Sequence, residues 1–362
     1  MMELGSEYHL SLSALNYQED NIFAYLSGFD QVFWFDSGRS ALRHIAAHMK
    51  TDDEILLPAF ICESVSGCFP PEKTRYYHLN SDFTVDLDDL KRKTGDRTRL
   101  IFVMHYFGAI QPRKVLEETR QLAEQYHCVV VEDTTHSIFS RQSTIGDYMV
   151  CSIRKWLPIP RGGVLYYASD SKRVHGANPL ALFPPAFPKS VDNRRVYAMV
   201  LKDLVLHEGL DYNADYRRIF AECENLIDEQ KDIGMMSDFA RFIASCVSIE
   251  SLQQRRRKNY DQLSAHLALH GIKPAIALSD SDTPLVFPLR VKQRDLFRSY
   301  LMNQKIYCAV HWPFDGVQPD ERTIAVKNAE ELISLPIDQR YDERHISYLA
   351  EMVLQYEGDL LF

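Results

Sequence analysis

The sequence predicts an α/β fold: a large domain with a mostly parallel central sheet covered by helices, then a smaller C-terminal α+β domain. Three observations carry this. Short, nearly continuous apolar runs recur through the first half, as in strands buried on both faces of a parallel sheet. A segment of helical period lies between two of them. From about residue 190 the chain turns charged and helical before short strand and helix signals return.

"WFDSGRSALRHIAAHM" (34–49) places Ser37, Gly38, Arg39 and Ser40 ahead of a stretch whose apolar residues Ala41, Leu42, Ile45, Ala46 and Met49 follow a helical period. The strand-like runs are "EILLPAF" (54–60), "RLIFVMHYF" (99–107), "HCVVVED" (127–133), "DYMVCSI" (147–153) and "GGVLYYA" (162–168). Between the second and third, "PRKVLEETRQLAEQY" repeats apolar residues at helical spacing, and Pro112 sits where a helix start tolerates it. Such βαβ patterning predicts an open sheet whose ligands gather at the carboxyl ends of strands, where His105, Asp133 and His136 fall. We expect a large domain over 1–210. A helical connection and the small domain ("TPLVFPLRV", "RDLFRSYLMNQ", "KIYCAVHWP", "ELISLPI", "DERHISYLAEMVLQYE") would fill 211–362. The run "RRRK" (255–258) reads as a solvated helix face rather than an anion site.

The 362 residues suffice for two domains, and 46% hydrophobic with 25% charged residues is ordinary globular composition. A formal charge of −9 argues against a general nucleic-acid binder, so any phosphate must be held locally. No apolar run approaches the ~18 residues of a membrane span. "MMELGSEYHL" does not read as a signal peptide, and we expect a cytoplasmic protein without membrane partners. Seven cysteines lack any CxxC spacing, which predicts reduced, mostly buried thiols and neither a disulfide framework nor a zinc site.

Three motifs carry chemistry. The turn Ser37-Gly38-Arg39-Ser40 opens a helix, where amide N–H groups and the macrodipole favour a phosphate; plain N-capping by Ser37 or Ser40 would satisfy the same residues. "VVVEDTTHS" (129–137) ends a buried strand on Asp133 with His136 three residues on. That carboxylate suits a helix cap, a metal ligand or the partner of a protonated ring nitrogen, and the metal reading lacks further ligands of its type. "CSIRKWLPIPRGGVLYY" (151–167) places Lys155 before prolines at 158 and 160, which remove backbone donors and fix the chain just after the lysine. A phosphate turn, a strand-end acid and a positioned lysine form the inventory that pyridoxal phosphate requires.

The fragments "SGRSAL", "LLPAF", "HYFG", "VVVEDTTHS", "GDYMVCSIRKW" with "GGVLYY", "RRRKNYDQL", "IYCAVHWP" and "SLPI", in this order and spacing, resemble the DegT/DnrJ/StrS family of fold-type-I aminotransferases along nearly the whole chain. The resemblance implies pyridoxal 5'-phosphate as cofactor, with the pyridoxamine form as intermediate, and an amino group moved from an amino acid, expected to be glutamate, to a nucleotide-linked ketosugar. It implies that Lys155 forms the Schiff base with the cofactor, that Asp133 pairs with the pyridinium nitrogen, and that His136 meets the phenolic oxygen. Gly38, Arg39 and Ser40, in the turn headed by Ser37, would bind phosphate through amides, with the Ser152 hydroxyl beside them. His311, with Trp312, would approach the substrate. A homodimer with interfacial active sites is implied as well.

A lysine of ordinary pKa ~10.4 is a poor neutral nucleophile. Its neighbours must lower it, and Arg154 and Arg161 are the nearby cations expected to contribute.

The chain departs from the family pattern at three places. "SIRK" sets Ser152 only three residues before Lys155, a shortened loop. After "LPA", where an aromatic commonly stacks on the ring, the sequence offers Ile61 or Cys62, so Phe60, or an aromatic from elsewhere in the chain, is the alternative stacking residue. "DIGMMSDFA" stands where a neighbouring subunit commonly reaches the phosphate. These departures keep two other readings in view: an enzyme of the same fold with another reaction or a non-sugar substrate, and a catalytically silent sugar-nucleotide-binding relative.

Overall fold

The computed structural model describes residues 3–50, 52–140, 144–167, 189–313 and 324–358. Along them run β1 (Leu4–Gly5), α1 (Ile22–Tyr25), β2 (Gln31–Phe35), α2 (Gly38–Ala46), β3 (Glu54–Pro58), α3 (Glu63–Ser66), β4 (Thr74–Tyr77), α4 (Leu87–Lys93), β5 (Thr98–Met104), α5 (Arg113–Gln125), β6 (Val129–Asp133), β7 (Tyr148–Cys151) and β8 (Gly163–Tyr167). There follow α6 (Lys189–His207), α7 (Asn213–Glu229), α8 (Asp238–Ser245), α9 (Ile249–Ala268), β9 (Phe287–Arg290), α10 (Arg294–Asn303), β10 (Ile306–Tyr307), α11 (Ile324–Glu331), β11 (Leu332–Leu335) and α12 (Glu343–Leu354). All five apolar runs form strands, although Ala168, the end of the last run, lies outside the described residues.

By internal contacts the chain forms two compact units that interleave in sequence: one from residues 7–49 and 147–250, the other from 2–6, 50–146 and 251–362. The boundary expected at 210 falls between α6 and α7, helices that both belong to the first unit and pack on each other.

In the first unit β8 runs antiparallel to both its neighbours, β2 and β7. Its apolar sequence is buried on both faces, and that pattern carries no information about direction. Helix α2 covers these strands, its apolar period turning Ala41, Leu42 and Ile45 inward. The segment "DIGMMSDFA" stays beside β2. Gly234 accepts from the Asp36 amide at 2.9 Å, and the Met236 amide donates to Trp34 at 3.1 Å.

In the second unit β6, β5, β3 and β4 form the parallel sheet the sequence predicted. Leu56, Leu57, Ile101, Phe102, Val103, Val130 and Val131 are fully buried, as strands covered on both faces require. A separate core gathers Leu263, Leu267, Phe287, Leu289, Phe297, Leu301, Ile333, Leu335 and Leu349 around the antiparallel pair β9–β11, which is the small α+β assembly expected from the C-terminal sequence. The "RRRK" run is less solvated than expected. Arg256 is 1% exposed and donates to the carbonyls of Pro284 and Leu285 and to Gln339, so it clamps the chain around residue 285 to α9.

Candidate active site

Lys155 closes a 3₁₀ turn, Ile153–Lys155, that Ser152 opens; the Lys155 amide donates to the Ser152 carbonyl at 3.3 Å. One such turn is three residues, so positions 152 and 155 lie nearly above one another. The shortened Ser-x-x-Lys spacing thus sets the hydroxyl and the lysine on one side of the turn. Ile153 and Trp156 are fully buried around it. From the N-terminal segment, the Tyr8 hydroxyl lies 3.4 Å from the Lys155 carbonyl and 3.2 Å from that of Trp156.

The two cations expected near Lys155 are both committed. Arg154 donates to both carboxylate oxygens of Glu224, at 2.7 and 3.0 Å. Burial pulls its pKa down, and the pairing with Glu224 outweighs burial and leaves it above the ordinary value. Arg161 reaches Asp36 at 3.0 Å and Asp192 at 2.5 Å. Arg154 thus offers the lysine a neutralised pair, and Arg161, which faces two carboxylates, offers no net positive charge.

The turn 37–40 does two jobs. Ser37 is the N-cap of α2, its hydroxyl accepting from the Ser40 amide at 3.1 Å, so the capping reading holds for this pair. The Ser40 hydroxyl donates to Asp36 at 2.6 Å, and the Arg39 guanidinium turns away to Asp228 at 2.9 Å. The first-turn amides of Gly38 and Arg39 remain the phosphate-facing type of group. Glycine is required nearby: a Cβ on Gly163 would lie 2.2 Å from the Ser37 carbonyl, and one on Gly38 would lie 3.2 Å from the Ser152 Cβ. Turn, strand β8 and Ser152 are packed so closely that only backbone fits between them.

The second unit gathers the other predicted residues at the carboxyl ends of its parallel strands. Phe60 follows β3, His105 and Phe107 follow β5, and Asp133 with His136 end β6. Asp133 is 3% exposed, and its Oδ1 accepts from the Thr135 amide at 2.8 Å. His136 is fully buried, and its Nδ1 accepts the Phe107 amide at 3.3 Å. In the neutral ring this fixes the proton on Nε2. His105 is fixed in the same tautomer: Nδ1 accepts the Gln111 amide at 3.1 Å and Nε2 donates to Glu132 at 3.0 Å. Glu132 also accepts from the amides of Ile145 and Gly146, which ties the chain after β6 to the strand.

Trp312 lies flat on His136, ring centroids 5.5 Å apart and 20° between planes, and 5.2 Å from the Phe60 ring. His311 sits edge-on to His136 at 5.2 Å and shares a 2.7 Å hydrogen bond with the Ser334 hydroxyl. Phe60 is fully buried, with its carbonyl accepting from the Tyr106 hydroxyl. Cys62 is half-buried at the start of α3, its sulfur 3.0 Å from the Ser64 hydroxyl.

Ser37, Gly38, Arg39, Ser40, Ser152 and Lys155 thus belong to the first unit, whereas Asp133, His136, Phe60, Cys62, His311 and Trp312 belong to the second. Sequence reasoning missed Asp36, Gln230, Tyr8 and Glu132. Their partners lie at separations of up to 194 residues, and no local spacing signals such a pairing.

Three solved structures illustrate the likeness. DesV from S. venezuelae is 17% identical with a TM-score of 0.63, covering 96% of this chain and 90% of its own. The sugar aminotransferase CalS13 from Micromonospora echinospora is 18% identical at 0.62, covering 92% and 89%. NtdA from Bacillus subtilis, solved with bound pyridoxamine phosphate, is 16% identical at 0.62, covering 92% and 74%. At these identities the likeness is one of fold. Comparison with curated proteins finds no match.

Fold and family match together define the class: a fold-type-I, pyridoxal-phosphate-dependent aminotransferase. Residues 22–155 match the DegT/DnrJ/EryC1/StrS aminotransferase family, the family that the sequence motifs resemble.

Proposed function

We propose that the protein moves an amino group from an amino acid, glutamate, to a ketosugar carried on a nucleoside diphosphate, in surface-polysaccharide or natural-product biosynthesis. The observation that carries this reading is the packing around Lys155. A glycine-dependent helix-opening turn presses on Ser152, one 3₁₀ turn from the lysine. Bound pyridoxal phosphate supplies the electron sink that lets an amino group change carbon.

The chain's own groups then have these roles. Lys155 would hold the cofactor through its Nζ and, when free, its amine would serve as the base that carries the proton. Asp133, oriented by the Thr135 amide, would keep the ring nitrogen protonated. His136 would offer its Nε2 proton to the phenolic oxygen, a direction set by the Phe107 amide on the other nitrogen. The amides of Gly38 and Arg39 and the Ser152 hydroxyl hold phosphate, with Ser37 and Ser40 bracing that turn. Phe60 and Cys62 are our ring-side assignments, and His311 and Trp312 our substrate-side ones.

The protein is proposed to work as a homodimer in the cytoplasm, a compartment that suits its reduced thiols. Light scattering and cell fractionation test these two points. Among the described residues no helix is long and apolar enough to cross a membrane.

The direct test is borohydride reduction of protein loaded with pyridoxal phosphate, followed by peptide mapping. The adduct is expected on Lys155, and loss of visible absorbance together with 2-oxoglutarate release from glutamate is expected for Lys155→Arg. An adduct elsewhere, or none, would sink the assignment.

A further inference from the structure

Away from these residues, the first unit brings two imidazoles and a carboxylate together. Asp203 and His207 are one helical turn apart at the carboxyl end of α6, with His207 Nδ1 2.9 Å from Asp203 Oδ1. His9 arrives from the N-terminal segment with Nε2 3.9 Å from the same oxygen, its ring edge-on to His207 at 5.2 Å. One ligand atom from each residue lies within 4.8 Å of the other two.

We propose that His9, Asp203 and His207 bind a divalent transition-metal ion of the zinc class. Nitrogen and oxygen ligands at zinc bond lengths of 2.0–2.2 Å stand about 3.3 Å apart around a tetrahedral ion, and the observed separations bracket that spacing. Two imidazoles and one carboxylate suit zinc, and the fourth position would take water or a further ligand. The carboxyl end of a helix carries partial negative charge, which favours a cation there. An ordinary pair four residues apart would account for His207 beside Asp203, but not for a second imidazole from a distant segment.

That segment is held in register along α6. The Lys202 ammonium donates to the Glu7 carbonyl at 2.7 Å, Arg195 pairs with the Glu7 carboxylate at 2.5 Å, and the Leu10 amide donates to the Met199 carbonyl at 3.1 Å. His9 is therefore presented to the helix by contacts on both sides of it, and little ordering is left for the metal to enforce. The adjacent residue is Tyr8, whose hydroxyl bonds the Lys155 loop. A metal here would staple the strap that steadies that loop.

The test is Zn²⁺ titration by calorimetry of the full-length protein after chelator treatment, with His9→Ala, His207→Ala and Cys62→Ser variants. His207 has a 57% exposed side chain, so its truncation leaves the packing intact. We expect one saturable site in wild type and in Cys62→Ser, weakened at least tenfold in both histidine variants. A Zn²⁺-dependent rise in Tm should accompany it in wild type and vanish in His9→Ala, since ligand bound to the native state raises stability. Unsaturable binding in wild type, histidine variants that bind like wild type, or loss of the site in Cys62→Ser would each overturn the proposal.

Discussion

Arg161 illustrates how much one side chain can hold. Only 3% exposed, it pairs with Asp36 and Asp192 at once, and Gln230 reaches the same Asp36 oxygen at 2.7 Å. Asp36 in turn accepts the Ser40 hydroxyl at the start of α2. Arg161→Met leaves two carboxylates buried without their cation, and we expect a loss of about 3–5 kcal/mol in urea unfolding. Arg161→Lys should restore little of it, because a point charge cannot replace a planar fork that bridges two acids. Gly163→Ala forces the Ser37 backbone away from β8; weaker pyridoxal-phosphate affinity by spectral titration is the expected result. Among the thiols, Cys62 alone is half-buried, and burial pushes Cys308 up to about 12. A thiol reagent should modify Cys62 rapidly and the other six only on unfolding.

At the scale of elements, the 3₁₀ turn that carries Lys155 is joined to α6 and α7 through one acid. Glu224 receives Arg154 and Arg195. Burial alone would raise its pKa, but the two guanidinium groups hold it at about 2, below the ordinary 4.5. A carboxylate depressed on folding stabilises the native state fully above its unfolded pKa, and loses that contribution as pH falls toward the folded one. The stability gap between wild type and Glu224→Gln should therefore be constant near neutrality and shrink from about pH 4.5 toward 2, as read by urea midpoints across that range. Much at this scale was legible in the sequence. Five apolar runs became five strands, and "PRKVLEETRQLAEQY" became α5. The turn at Ser37, Asp133 at a strand end and Lys155 in a constrained loop were readable because each has a local signature. The reversed direction of β8 was not, because residues buried on both faces look alike whichever way the strand runs. Nor was the Asp36–Arg161 pair, whose members stand 125 residues apart.

Across the whole molecule, the sequence suggested two consecutive domains, whereas internal contacts divide the chain into units that alternate along it. No composition shift marks the crossings near 49 and 146, since each unit takes strands and helices of the same character. This alternation has a consequence during synthesis. The first unit needs residues 7–49 and 147–250 together, so its opening segment leaves the ribosome about two hundred residues before its last partner. At roughly 5–20 residues per second that is a wait of about 10–40 s. For about the first two-thirds of it, until Gly163–Tyr167 is made, the strand Val32-Phe33-Trp34-Phe35 has no β8 to pair with. This strand is where a chaperone should be found on stalled nascent chains, and crosslinking to chains arrested before residue 160 should capture it, whereas chains extended beyond residue 250 should release it.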